Sequence, residues 1–373
     1  MHEDDLLKYQ LALTMVPKVG GITAKKLIAY CGGVEGVFLE KKKTLMKIPG
    51  IGANIAAAVS DREIFSRVEK EMEFIKKNGI VTLFYTDVNY PGRLKHCDDG
   101  PILLFYKGTA NLNKQKIIAV VGTRSITEYG KQKCKEIVEG VKKFDPLILS
   151  GLAYGVDARA HKIALDNTLQ TVGVLGHGLD RIYPPLNKPL AERMLDNNGG
   201  LLSDFVSNTI PDRENFPKRN RIIAGMADAL IVVEAAKTGG ALITANIANT
   251  YNRDVFAVPG RTSDLYSQGC NFLIKTHKAH LAETAKDIEY VMGWEEENQK
   301  SKKHQQQQLF VELDEQEKII ADILKENETC SFDFLVQKTG LGFSKTSSLL
   351  LNLEFKGAIA NLPGKMFKLL ISV

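Results

Sequence analysis

The chain has 373 residues, of which 44% are hydrophobic and 25% are charged. This composition is typical of folded globular proteins and excludes collagen-like and disordered classes, and the length predicts two or three domains. Lys and Arg exceed Asp and Glu by five, an excess too small to prove a polyanionic partner. No apolar run reaches the roughly 18 residues of a membrane span, and no signal peptide is evident. We therefore expect a cytoplasmic protein that does not associate with a membrane.

The cysteines and histidines do not form ligand patterns. The five cysteines are scattered without a CxxC pair, which predicts reduced thiols. His161, His177, His277 and His280 lie on separate segments and are expected to be structural. We therefore predict no metal site.

A short repeat lies near the N-terminus. VPKVGGITAKKLI at 16–28 and IPGIGANIAAAV at 48–59 place Gly20 and Gly52 in register. Flanking helical patterns predict two helix-hairpin-helix units in an N-terminal helical (SAM-like) domain over residues 1–64. Free amides at such turns suit a DNA phosphate, so Gly20 and Gly52 are accessory DNA-binding candidates. The alternative is a repeat kept for packing or protein contact.

The hydrophobic pattern changes from helical to strand-like in the middle of the chain. After a polar helix at 61–76, strand-like runs at 80–85 and 102–108 indicate an antiparallel pair. From residue 117, apolar strands alternate with helical patterns, as in parallel sheets covered on both faces. We predict an α/β core over 65–293, a doubly wound, extended Rossmann-like parallel sheet.

The C-terminal part is predicted to be a separate domain. Residues 294–310 are polar and of low complexity, which indicates a linker. Over 311–373, a capping-box pattern at Asp314 and Glu317, two more helices and a hairpin indicate a winged helix. Its segment 344–356 takes the recognition-helix place, with Lys345 and Lys356 as accessory DNA-binding candidates. Base-reading side chains are sparse there, so a protein-contact or structural role stays open.

The loops after the parallel strands carry the candidate site. In open α/β sheets, ligands bind at the carboxyl ends of the strands. Glycines there allow close approach of backbone amides to an anion, and basic side chains add positive charge. The glycines are Gly122, Gly151, Gly155, Gly239 and Gly240, and the cations are Arg124, Lys218, Arg219 and Arg221. The sequence predicts a phosphate-binding crevice; the alternative is that the glycines only make turns and the arginines pair with Asp157, Asp180 or Asp204.

Common enzyme motifs do not fit. Arg181 stands where a GxGxxG pattern needs its final glycine, and we find no P-loop, HExxH or GxSxG sequence. Asp157 and Glu234 are the best candidate carboxylate pair, but Asp157 is better interpreted as a helix cap. We predict no catalytic residue and no cofactor.

Five segments in order, GTRSITEYG, SGLAYGVDARAH, GHGLDRIYPPLN, FPKRNRIIAG and TGGALITANIA…DVFAVPG, resemble the DprA/Smf family of DNA-processing proteins over residues 80–290. The resemblance implies a non-catalytic protein that binds single-stranded DNA, protects incoming strands in natural transformation, and loads the RecA recombinase in recombination. It also implies a homodimer formed through the α/β domain.

Matched residue by residue, the family motifs imply a binding site for single-stranded DNA in this chain. The residues it implies are Thr123, Arg124, Gly151, Gly155, Phe216, Lys218, Arg219, Asn220, Arg221, Gly239 and Gly240. Phe216 would offer a stacking surface, and the cations would hold phosphates. Thr238 and Lys218 are small departures from the family pattern.

Two alternatives are kept. A nucleotide-processing phosphoribohydrolase of the LOG type has a PGGxGTxxE loop, but here Leu242 replaces a glycine and Asn246 replaces the carboxylate. A regulator that binds duplex DNA through its winged helix is the second alternative.

Overall fold

The computed structural model describes residues 3–294, 313–327, 329–362 and 366–370. It divides into two units, Met1–Trp294 and Glu295–Val373. Apart from residue 294, the described residues do not include the predicted linker over 294–310. The two units are therefore described separately.

The first unit begins with six helices. They are α1 (Glu3–Met15), α2 (Gly21–Cys31), α3 (Val34–Leu39), α4 (Lys42–Leu45), α5 (Ala53–Ser60) and α6 (Ile64–Lys77). Their buried side chains, such as Leu27 and Phe38, belong to one apolar cluster with Phe84 and Leu103 of the following strands. The boundary predicted at residue 64 lies at the start of α6 and does not separate two cores.

The repeated sequence forms two turns of the same conformation. In each turn, the residue before the glycine donates its amide to the carbonyl three positions back, over 3.2 and 3.0 Å. Lys18 and Gly50 occupy the same place, with φ of 63° and 83°. Gly20 and Gly52 are both extended residues that precede the first turn of α2 and α5. The helix-hairpin-helix assignment and its DNA contact stay predictions.

A nine-stranded sheet forms the centre of the first unit. The strands are β1 (Val81–Phe84), β2 (Leu103–Gly108), β3 (Ile117–Val121), β4 (Leu147–Ser150), β5 (Thr171–Val174), β6 (Gly200–Ser203), β7 (Ala229–Val232), β8 (Asp254–Ala257) and β9 (His280–Leu281). Their order is β1-β2-β6-β5-β4-β3-β7-β8-β9. The β1–β2 and β2–β6 pairs are antiparallel and the others are parallel. The predicted doubly wound α/β fold and its antiparallel appendage are confirmed. From β3 the chain adds strands β4 to β6 on one side, and β7 to β9 are then added on the other side of β3.

Helices cover both faces of the sheet. They are α7 (Gly92–Lys95), α8 (Glu128–Gly140), α9 (Val156–Asp166), α10 (Lys188–Asp196), α11 (Asn215–Met226), α12 (Gly240–Thr250), α13 (Gln268–Lys275) and α14 (Ala285–Met292), with short 3-10 helices at Lys142–Phe144 and Pro185–Asn187. Along β3, Ala119 packs into one apolar cluster and Ile118 and Val120 into another, on alternate faces. Burial on both sides explains the continuous apolar sequence of these strands.

The described residues of the second unit form three helices and a three-stranded antiparallel sheet. They are α15 (Glu315–Glu326), α16 (Phe332–Thr339), α17 (Phe343–Phe355), β10 (Cys330–Ser331), β11 (Ile359–Leu362) and β12 (Met366–Leu369), with strand order β10-β12-β11. The capping box predicted at Asp314 and Glu317 is present at the start of α15. The fold matches the predicted winged helix, with α17 in the place of the predicted recognition helix.

Membrane and metal features are absent from the described part of the chain. There, no helix is long and apolar enough to cross a membrane. The same residues contain no cluster of three or more His, Cys, Asp or Glu side chains that could hold a metal ion. All five cysteines are unpaired, and all except Cys31 are buried.

His161 is expected to make folding stability depend on pH. Its Nδ1 lies 2.6 Å from the hydroxyl of Thr171, and burial lowers the pKa of His161 to about 3. Below a pH of about 6.5 the unfolded chain binds a proton that the folded chain does not, so stability should fall by up to about 1.4 kcal/mol per pH unit. Urea denaturation between pH of roughly 7 and 5 should show a smaller loss for His161→Gln than for wild type. Equal losses in both proteins would contradict this assignment.

Candidate nucleic-acid interface

A narrow crevice lies at the carboxyl edge of β3, β4 and β5, where the α11 segment approaches the strand-end loops. The residues that line it are Arg124, Gly151, Ala153, Tyr154, Tyr183, Pro184, Phe216 and Arg219. Its volume is about 40 Å³, far below the roughly 300–1,000 Å³ of pockets that enclose small-molecule ligands. A nucleotide must therefore lie across the mouth of the crevice, with at most a small group inside it.

Arg124 supplies the exposed positive charge at this mouth. The preceding residue, Thr123, is fixed on both sides: its amide donates to the Glu234 carbonyl over 2.7 Å, and its carbonyl accepts from the Val156 amide over 3.1 Å. The Arg124 guanidinium lies 5.3 Å from the centre of the Phe216 ring. A cation over an aromatic face at this distance is attracted to the ring, which holds the charge near the opening.

Gly155 is required where the second loop packs on the first. Its φ is +75° and its ψ is −121°, a combination that essentially only glycine adopts. A Cβ atom at this position would lie 2.2 Å from the Thr123 carbonyl oxygen and 2.7 Å from the Arg124 carbonyl carbon. The glycine therefore sets the position of the backbone that carries Arg124.

Arg219 forms the inner wall and is buried, with 5% of its surface exposed. Its guanidinium donates to the carbonyls of Gly151, over 2.7 Å, and of Val174. Burial lowers the pKa of Arg219 to about 10, with Asp157 opposing that effect, so the side chain stays cationic at neutral pH. Arg219 thus connects the loop after β4 to the end of β5. Its positive charge lies at the inner wall of the crevice.

Gly151 makes room for this arginine. A Cβ atom there would lie 2.5 to 2.6 Å from the guanidinium of Arg219. The Gly151 amide, predicted to meet a phosphate, instead donates to the carboxylate of Asp157 over 3.1 Å. Gly151 therefore allows Arg219 to pack closely against the backbone, and its amide already has a partner within the protein.

Two aromatic rings form the other wall. Phe216 and Tyr183 are nearly parallel, with ring centres 6.1 Å apart and planes inclined by 27°. Phe216 packs over Gly176, where a Cβ atom would lie 3.1 Å from the ring. Tyr183 and Tyr154 remain 42% and 41% exposed, so they offer aromatic surface next to the Arg124 charge.

The two carboxylates near the crevice are already bonded within the protein. Asp157 accepts from the amides of Gly151 and Ala153, over 3.1 and 3.4 Å. Glu234 accepts from the amide and hydroxyl of Thr127, over 2.9 and 2.5 Å. The interpretation of Asp157 as a helix cap is wrong, because Gly155 holds the cap position and Asp157 fixes the preceding loop from inside the first turn.

The remaining predicted site residues on α11 and α12 do not line the crevice. Lys218 is exposed, and Arg221 forms an ion pair of 2.7 Å with Asp204. The alternative pairing with Asp204 is therefore correct for Arg221. Asn220 is buried, and its side-chain amide donates to the Gly240 carbonyl over 3.4 Å at the start of α12. Gly239 is exposed, with open space around it.

The accessory candidates of the second unit have different environments. Lys345 is exposed on α17. The ammonium group of Lys356 lies 2.6 Å from the carboxylate of Glu317, which also completes the capping box of α15. Lys356 therefore has a structural partner within its own unit.

Sequence reasoning missed four lining residues: Ala153, Tyr154, Tyr183 and Pro184. All four lie in loops that follow strands of the parallel sheet. Asn187 positions one of these loops, because its buried amide donates to the carbonyls of Leu152 and Ala153 over 2.8 and 3.3 Å. The sequence signal that could have identified the aromatic wall was the presence of tyrosines in the same loops as the predicted phosphate site.

A doubly wound sheet with a cationic, aromatic-lined crevice at its carboxyl edge defines an α/β protein with a site suited to a phosphate-containing ligand. Residues 81–293 match the family model of DNA recombination-mediator protein A, and residues 305–365 match the DprA winged helix domain. The chain belongs to the DprA/Smf family of DNA-processing proteins. The winged-helix assignment is thereby confirmed.

Relatives agree with this assignment. The chain is 41% identical to DNA processing protein DprA of Streptococcus pneumoniae over 199 residues, which covers 53% of this chain and 70% of that protein. It is 37% identical to DNA processing protein DprA of Bacillus subtilis, over 58% and 73% of the two chains. It is 33% identical to protein Smf of Escherichia coli, over 75% of each.

Two solved structures resemble the fold. The X-ray structure of Streptococcus pneumoniae DprA covers 75% of this chain and 95% of its own, with a TM-score of 0.62 and 32% identity. DprA of Helicobacter pylori covers 57% and 95%, with a TM-score of 0.52 and 28% identity, and is described as having a single-stranded DNA binding mode.

Proposed function

We propose that this protein binds single-stranded DNA across the mouth of the crevice, protects incoming strands and loads the RecA recombinase onto them. The observation that carries the proposal is the exposed Arg124 guanidinium held 5.3 Å from the Phe216 ring. Phosphates would pair with the cation, and bases would stack on the exposed rings of Tyr154 and Tyr183. Positive charge combined with aromatic surface is the usual means of holding single strands without sequence preference.

The size of the crevice favours a single strand over a duplex. Only a small group enters a volume of about 40 Å³, so the backbone must bend toward Arg124 while unstacked bases reach the rings. A flexible single strand does this readily, whereas a duplex must first lose base pairing and stacking. The description of the Helicobacter pylori relative supports the same ligand.

Delivery to RecA and dimerisation are part of the proposal. The matching family is described as a recombination mediator, which supports a role in handing DNA to a recombinase. A homodimer formed through the α/β unit would place two crevices on one strand and raise avidity through effective concentration. We place this activity in the cytoplasm, where recombination occurs.

The proposed role is non-catalytic. Asp157 and Glu234, the two carboxylates near the crevice, accept hydrogen bonds from loop groups of the protein itself. A general base needs a free carboxylate within hydrogen-bond reach of its substrate, so both groups are better explained as structural. This argues against a nucleotide-processing enzyme of the LOG type.

The winged helix has little surface for reading duplex DNA. On α17, Phe343 and Phe355 are 66% and 82% exposed, and Lys356, which follows the helix, is paired with Glu317. Bidentate contacts to base edges in the major groove come mainly from Arg, Lys, Asn and Gln, and of these residue types α17 carries Lys345 and Asn352 alone. A duplex-binding regulator is therefore not favoured.

Arg124→Ala tests the proposal. The variant should bind single-stranded oligonucleotides more weakly, and the log–log salt dependence of binding should flatten by about 0.7 for each phosphate that the side chain neutralises. Stability should change by less than about 0.5 kcal/mol because the side chain is exposed. Arg193→Ala, on the exposed surface of α10, is the matched control and should bind as wild type does. Unchanged affinity and salt dependence in Arg124→Ala would remove Arg124 from the site.

A further inference from the structure

A second and wider cavity lies on the surface formed by α8 and α9. Its volume is about 550 Å³, more than ten times that of the crevice. The residues that line it are Glu128, Tyr129, Lys131, Gln132, Lys135 and Arg159. We call this cavity the α8–α9 groove. Neither the predicted site nor the family motifs assigned it a function.

The groove contains three cations and one carboxylate. Lys131 pairs with Glu128 over 2.6 Å, and Lys135 lies 3.9 Å from Glu139, but both lysines are about half exposed. Exposed pairs within one helix contribute little, so either lysine can turn to a stronger anion at small cost. Arg159 is half-buried and lines the same groove, with its Nε enclosed by the protein. The groove therefore holds cationic groups that a polyanion could use.

The groove also offers an aromatic face. The Tyr129 hydroxyl donates to the Pro259 carbonyl over 2.5 Å, which fixes the ring on the surface. The side chain remains 40% exposed. A fixed, exposed ring next to lysines is the same combination that marks the crevice, and it suits a base stacked beside its phosphate.

The groove and the crevice are lined by neighbouring residues of the same two chain segments. Arg124 and Tyr154 line the crevice, and Glu128 and Arg159 line the groove four and five residues further on. Gly155 packs against the Arg124 backbone, and the Arg159 amide donates to the Gly155 carbonyl over 3.0 Å. One helical turn of α9 thus separates the two cavities on that segment.

We propose that the α8–α9 groove binds the sugar-phosphate backbone of the strand as it leaves the crevice, which lengthens the footprint of the DNA site. The inference rests on the proposed single-stranded DNA function. Lys131, Lys135 and Arg159 contact phosphates, and Tyr129 supports a base. Oligonucleotides that fill only the crevice do not reach these residues, so the groove acts on longer strands alone.

The test is a length series of fluorescent oligo(dT), from roughly 4 to 16 nucleotides, the range of single-strand footprints. Wild type should bind more tightly as length increases. Lys131→Ala/Lys135→Ala, and the same variant with Arg159→Ala, should keep the affinity of wild type for the shortest strand that binds. For long strands the triple variant should bind more weakly, and its salt slope should be smaller by about 2, since each phosphate neutralised by a side chain accounts for about 0.7.

The matched control removes three charges elsewhere. Lys70, Lys76 and Lys77 are exposed on α6, which lines neither cavity, so their triple alanine variant should follow wild type at every length. The double lysine variant leaves Arg159 in place and guards against a folding defect. If wild type binds and the groove variants keep its affinity and salt slope for long strands, the groove proposal is wrong while the crevice stands. If wild type binds no single strand, both proposals fail.

Discussion

Arg219→Ala should lower the free energy of unfolding by about 3 kcal/mol. The substitution removes a buried cation, so the buried carboxylate of Asp157 loses the nearby positive charge that stabilises it. The carbonyls of Gly151 and Val174, which now accept from its guanidinium, would lose their donor inside the protein. Urea denaturation measures this loss directly. Single-strand binding should fall as well, since the β4 and β5 loops would no longer be joined.

Arg124→Ala is the control for this experiment, because it removes the same charge from the same crevice at an exposed position. It should unfold as wild type does. Arg219→Lys should be intermediate, since an ammonium keeps the charge but cannot reproduce both the Nη1 bonds to the two carbonyls and the Nε bond to Asn220. An Arg219→Ala protein as stable as Arg124→Ala would show that Arg219 does not hold the loops together.

Gly155→Ala should destabilise the protein by a similar amount, about 3 kcal/mol. The backbone conformation alone costs about 1 to 3 kcal/mol for a residue with a Cβ atom. That atom would also lie 2.2 Å from the Thr123 carbonyl oxygen, so the first loop must move. Thermal unfolding should show the loss, and affinity for single strands should fall because Arg124 is displaced.

Gly239→Ala provides the comparison. Its backbone is extended, and no heavy atom lies within 4 Å of the position a Cβ atom would take. Stability should therefore remain within about 0.5 kcal/mol of wild type. If Gly155→Ala proved equally harmless, the packing of the second loop on the first would not position Arg124.

The sequence was sufficient for the fold and for the edge of the sheet that carries the site. Continuous apolar runs such as 117–121 and 229–232 predicted buried parallel strands, and each occurs as a strand. Since ligands of such sheets bind at the carboxyl ends, the loops that begin at Gly122 and Gly151 were predicted to carry the site, and both contribute residues to the crevice. Periodicity and loop position depend only on local sequence, so they can be predicted from it.

The roles of single cations could not be predicted in the same way. The run that contains Lys218, Arg219 and Arg221 looked like one phosphate-binding set. On α11, the rotation of about 100° per residue turns Lys218 to solvent and Arg219 into the protein, and Arg221 meets Asp204. Which side of a helix is buried depends on tertiary packing, and neighbouring charges in sequence do not reveal it.

The aromatic wall depends on contacts distant in sequence. Tyr183 follows β5 and Phe216 lies in the first turn of α11. Their rings meet because Phe216 packs over Gly176, which belongs to the same loop as Tyr183. Arg124, on a third loop, completes the arrangement. No spacing pattern links three loops, so this constellation needed the folded structure.

The most direct measurement is a titration of the wild-type protein with fluorescent single-stranded and duplex oligonucleotides of equal length, at two salt concentrations and without a nucleotide cofactor. We expect tighter binding to the single strand, with an affinity that falls as salt increases. Equal or tighter binding to the duplex, or no binding to the single strand, would contradict the proposed function.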